Sequence, residues 1–134
     1  MTSNLTAKRF PKGTRVVTFG AYNHKGLISI RFYEVRSSGD KQIHLIRQDG
    51  SNALFRVYPN YTDTSSWTMH RADEFPSDAD IEAAAREFGR AYIASERARY
   101  ERILNHVETV RGPYRDAIQR ELDSLLPEPV LTHL

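Results

Sequence analysis

The chain has 134 residues, 40% of them hydrophobic and 27% charged, with a formal net charge of only +2 and no cysteine. That length and balance describe one soluble domain able to bury its own core, and they exclude collagen, coiled-coil arrays and intrinsic disorder. The missing cysteine excludes disulfide frameworks, thiolate nucleophiles, zinc ribbons and iron–sulfur sites.

The small net charge hides an asymmetry. Residues 1–75 hold eleven basic and six acidic side chains, whereas residues 76–134 hold eight and eleven. In the first 36 residues Lys8, Arg9, Lys12, Arg15, Lys25, Arg31 and Arg36 face Glu34 alone. A basic end of this kind is a footprint for phosphate or for an acidic protein surface. The chain opens without an apolar run of signal-peptide length, and no stretch reaches the ~18 apolar residues of a spanning helix. The expectation is a cytoplasmic protein with no membrane partner.

Up to about residue 75 the period is that of short strands. Arg15 to Phe19 is a β-branched run ended by Gly20. Leu27 to Val35 is a second strand, with Ile28, Ile30 and Phe32 on one face and Leu27, Ser29, Arg31 and Tyr33 on the other. After the turn Ser37-Ser38-Gly39-Asp40, Gln42 to Arg47 is a third strand. Asp49-Gly50 then gives a strong hairpin signal. Ala53 to Tyr58 is the fourth strand, a polar loop runs from Tyr61 to Ser66, and Trp67 to Arg71 is the fifth. Tight turns between successive strands imply antiparallel pairing, because parallel strands need a long crossover.

Beyond Phe75-Pro76 the period becomes 3.6. Ser77 is placed to cap a helix whose first turn carries Asp78 and Asp80, near the positive end of the dipole. Ile81, Ala84, Ala85, Phe88, Ala91, Tyr92, Ala98, Tyr100, Ile103, Leu104, Val107 and Val110 recur along it, with Phe88 mid-stripe facing the sheet. Gly112-Pro113 ends or kinks this helix, and Pro113 opens a last one with Tyr114, Ile118, Leu122, Leu125 and Leu126 on one stripe. Pro127 and Pro129 forbid further helix. They leave an extended tail expected to stay undocked, so that a stop after Leu126 costs little folding, the alternative being that Val130, Leu131 and Leu134 pack into a groove of the sheet.

The expected fold is therefore α+β in a single domain, 1–134. An N-terminal antiparallel meander of about five strands (12–75) is covered by two or three C-terminal helices (76–126), with the tail at 127–134. Strands first and helices after argue against a doubly wound nucleotide-binding fold.

Chemistry-bearing motifs are scarce. Gly20 to Gly26 contains two glycines and Lys25 but not the phosphate-loop order, and a strand follows it instead of a helix. The five histidines, His24, His44, His70, His106 and His133, form no i,i+2 or i,i+4 pair, so no metal or cofactor is expected. Arg31, Tyr33, His44, Arg56 and Tyr58 alternate with apolar residues and are expected to share the uncovered sheet face. Cations interleaved with aromatics in this way stack and neutralise single-stranded nucleic acid. Arg47 belongs with them, and Tyr22, Tyr58, Tyr61 and Trp67 are aromatics at loops and strand ends. Tyr, Trp and Arg are also the residues that anchor protein interfaces.

Three functions follow. The first is a non-enzymatic interaction protein that occludes a larger protein or protein–nucleic acid complex, of the type that phage and mobile elements use as inhibitors of nucleic-acid machinery. Its contacts would be Arg31, Tyr33, His44, Arg47, Arg56, Tyr58, Tyr61 and Trp67. The second is direct nucleic-acid binding through the basic sheet half. The third is a metal-independent ribonuclease with His44 and His70 as its acid–base pair and Tyr33, Lys41, Arg47 and Arg56 beside them.

Overall fold

The computed structural model describes residues 10–23, 25–39, 42–47, 54–57, 63–64, 66–106 and 112–133, with backbone alone at 54–57 and 63–64. The chain adopts the α+β order that the change of period predicts. Strands β1 (Arg15–Ala21), β2 (Leu27–Ser38), β3 (Ile43–Arg47), β4 (Leu54–Val57), β5 (Asp63–Thr64) and β6 (Trp67–Arg71) precede helices α1 (Asp78–Leu104) and α2 (Gly112–Asp123). A last strand, β7 (Val130–His133), closes the order.

The sheet runs β4-β3-β2-β1-β6-β5, all antiparallel, with β1 at its centre. The meander proper is β1 to β4. The Trp67–Arg71 strand returns to the far side of β1, setting Gly20 opposite Trp67 and Val16 opposite Arg71. β2 is longer than its apolar run because the register slips between Val35 and Ser37. A bulge of this kind absorbs one residue, here Arg36, and lets the pairing with β3 continue. The Asp49-Gly50 turn lies outside the described residues.

Strict alternation gives the sheet two differently used faces. Val17, Phe19, Ile28 and Ile30 point to one side and are buried beneath Ile81 and Ala85 of α1, with Phe32, Phe75 and Phe88 packed around them. Val16, Tyr33, Val35, Ile43, Leu45 and Met69 point to the other side, where Phe10 joins them. Both sets exclude water, so β1 and β2 carry near-continuous hydrophobic stretches rather than an apolar–polar alternation.

Ser77 caps α1 as expected: its Oγ accepts from the Asp80 backbone amide at 3.3 Å and donates to the Asp80 carboxylate at 2.8 Å. Twenty-seven residues make one unbroken helix, about 40 Å long at 1.5 Å per residue. Its buried positions are Ile81, Ala85, Gly89, Tyr92, Ile93, Glu96, Tyr100 and Leu104. Ala91 and Ala98 of the expected stripe are exposed instead, and so is Tyr114 of α2. Among the described residues no helix is long and apolar enough to cross a membrane.

The tail docks. β7 runs parallel to β2, pairing Val130 with Leu27 and His133 with Ile30, and Leu131 packs on the helix-side core. Parallel pairing needs a crossover, and the helices supply it. Gly89 makes room for this return, since a Cβ there would lie 2.4 Å from Pro129 Cβ and 2.9 Å from Ile28 Cγ1.

Candidate functional site

Two strands end head to head along one edge of β2. β3 approaches with Arg47 opposite Tyr33, and β7 approaches from the other direction with His133 opposite Ile30. Arg31 and Phe32 lie in the fork between them. By alternation Phe32 turns to the helix side, where the Arg15 guanidinium lies 4.3 Å from its ring centre. Arg31 turns to the helix-free side.

There it lines an open hollow of about 590 Å³, a size typical of small-ligand sites. Arg31 and Arg47 supply two guanidinium groups. Tyr22, Tyr33 and Trp67 supply aromatic surface, and Thr18, Ser29 and Ser66 supply hydroxyls. No carboxylate is among the described lining residues, whose formal charge is therefore positive only. The Arg31 Nε is buried without a hydrogen-bond partner. A buried donor left unmade costs about 1–3 kcal/mol.

Gly20 shapes the floor. On β1 it stands between Ser29 of β2 and Trp67 of β6, and a Cβ there would lie 3.2 Å from the Ser29 hydroxyl and 3.4 Å from Trp67 Cδ1. Ser29 in turn donates its hydroxyl to the Gly20 carbonyl at 3.2 Å. A glycine inside a strand weakens it, and its usual justification is close approach by another group. Here it leaves the edge of the indole open to the hollow. The β-branched run ends at Gly20, whereas the strand runs on through Ala21. Thr18 and Ser29 had no signal beyond their place in the alternation.

The structure divides the expected contact set. Arg31, Tyr33, Arg47 and Trp67 come together around the hollow, and Tyr22 joins them at its rim. His44 does not share that face. It alternates with Ile43 and Leu45, which point into the helix-free cluster, so its side chain lies on the opposite side. The spacing causes the split: His44 and Arg47 are an odd number of residues apart on one unbroken strand, so they point to opposite faces. Arg56 pairs with His44 in the register, and its side chain, like Tyr58 and Tyr61, lies outside the described residues.

His44 and His70 are not assembled either. They occupy β3 and β6, three strand spacings apart, or about 14 Å across the sheet alone. His70 packs its ring 5.2 Å from Phe19 and 5.6 Å from Phe75, with Nε2 3.1 Å from the Thr68 hydroxyl. It is a half-buried histidine at the margin of the helix-side core. Lys41 lies outside the described residues.

Other charged groups are satisfied locally. Arg71 grips Asp73 through two bonds of 3.0 and 2.7 Å, and this contact holds the Asp73 carboxyl below its ordinary range. On α1, Arg99 donates to both oxygens of buried Glu96 at 2.9 and 3.0 Å, and Tyr92 donates to it at 3.3 Å. Burial first, then the Glu96 charge, pushes the Tyr92 phenol up to about 12. Among the described residues no three histidine, aspartate or glutamate side chains could hold a metal ion together. No protein-family model, curated protein or solved structure matches the chain.

Proposed function

We propose that the chain is a binding protein that meets an anionic surface of a larger macromolecular partner through the hollow on the sheet face that no described helix covers. One observation carries this reading: Arg31, Arg47 and Trp67, on three different strands, converge on a hollow with no described carboxylate. Cations steer a negative partner into contact, and aromatic side chains anchor it once there. The helical half has a different character, since Arg90 is shared between Glu87 and Glu128 and Arg99 is held by Glu96.

The test is capture with matched charge reversals. Immobilised wild-type protein, an R31E/R47E double variant and an R86E/R120E double variant are exposed to an extract of the cells that make the protein. Both doubles change net charge equally, and Arg86 and Arg120 are exposed on the helices. The partner retained by wild type should be lost from R31E/R47E and kept by R86E/R120E. Loss from R86E/R120E alone would move the interface to the helices.

A further inference from the structure

We propose that the hollow takes one nucleotide of a single-stranded nucleic acid, its phosphate held by Arg31 and Arg47 and its base laid against Trp67. This rests on the reading above that the helix-free face is the binding face, and it names the chemistry that face receives. Two guanidiniums with no described carboxylate beside them select a multidentate anion, and planar arginine forks match phosphate oxygens two at a time. The Arg31 Nε is a donor already stripped of water and without an acceptor.

Charge alone would suit an acidic peptide equally well. The aromatic wall decides between them. Tyr22 and Trp67 stand at the rim and side of the same hollow, and Gly20 withholds the side chain that would otherwise cover the indole edge. An acidic peptide uses the cations and leaves that wall idle, whereas a nucleotide uses both. The ligand is a single strand because a base must leave its stack to enter a concave site, and unpaired bases do so at least cost. Stacking is indifferent to base identity, so recognition here is tolerant of sequence.

Trp67 is the sole tryptophan of the chain, so its emission reports on the hollow directly. The full-length protein is titrated with an eight-nucleotide oligo-dT, an eight-nucleotide oligo-U, dTMP and an octaglutamate peptide, at 50 and 200 mM salt. Both oligonucleotides should quench Trp67. Neutralising that one phosphate implies a log–log salt slope of about −0.7, or about 2.6-fold weaker binding at the higher salt. Arg31→Gln should lower affinity at least fivefold and flatten the slope, with an unchanged melting temperature showing that the fold persists. Arg47→Gln should do the same, and dTMP should bind more weakly than either oligonucleotide.

Quenching by octaglutamate alone, abolished by R31Q, would overturn the nucleotide and leave the binding face standing. Equal affinity for dTMP and oligo-dT would overturn the single strand in favour of a free nucleotide. Oligonucleotide binding that R31Q and R47Q leave untouched would overturn the assigned site. If no probe binds while R31E/R47E still loses the captured partner, the nucleotide falls and the proposed function survives.

Discussion

Single residues carry more of this fold than their sizes suggest, and Gly89 shows it most directly. In a helix interior alanine is favoured over glycine by about 1 kcal/mol. At position 89 that gain meets the Pro129 ring and the Ile28 side chain, both too close for an added Cβ. Proline cannot swing away, so Gly89→Ala should cost about 1–3 kcal/mol net and loosen β7, seen as a lower denaturation midpoint. A stabilised variant would mean that the tail does not seat on α1. Tyr92 supplies a second test at this scale. Its phenol titrates near 10 when unfolded and at about 12 in the fold, so the native state holds the proton more tightly. The associated stability is present below pH 10 and drains away as pH rises from 10 through 12. Denaturant titrations at pH 9 and 11 should show wild type losing more stability than Tyr92→Phe; equal losses would contradict it.

At the scale of elements, strands and helices were legible because burial demands periodicity, and the change from two to 3.6 falls cleanly at Pro76. The partners of those elements were less legible. Nothing in Trp67–Arg71 says that it pairs with β1 instead of continuing outward from β4, because register is a long-range contact without a local signal. The tail reads as proline-broken and undocked, yet Leu131 on the core, Pro129 against Gly89 and pairing with the open edge of β2 seat it. Stopping the chain after Leu126 should therefore lower the melting temperature by more than about 4 °C, the loss of four paired residues and one packed leucine outweighing the entropy regained. An unchanged melting temperature would show that β7 contributes nothing. Phe88 was expected at the centre of the sheet–helix core, and it sits at that core's margin, half-buried with its ring 6.2 Å from Phe19. Phe88→Ala should accordingly cost about 2–3 kcal/mol, below the ~3–5 of a fully enclosed ring. Arg115 of α2 reaches the end of α1, where its guanidinium donates to the Leu104 carbonyl at 2.9 Å. That contact serves a helix end whose carbonyls lack internal partners.

At the scale of the molecule, the charge asymmetry visible in the composition is real but only part of it is available for binding. Arg15 lies over Phe32 and Arg71 is held by Asp73, whereas Arg31 and Arg47 converge on the hollow. Alternation in the sequence correctly put Arg31 and Tyr33 on one face. The odd spacing of His44 and Arg47 along one strand already separates them, whereas nothing in the sequence says that a glycine would lie beside Trp67. The central claim is that this hollow, and no helical surface, meets the partner. Tyr22 at its rim and Tyr114 on α2 are exposed to nearly the same degree, 51% and 56%. A photoactivatable phenylalanine analogue placed at each position in producing cells compares the two surfaces directly. The account predicts covalent adducts from position 22 that vanish in the R31E/R47E background, and none above background from position 114. Adducts from position 114 alone, or adducts from position 22 that survive the double reversal, would contradict it.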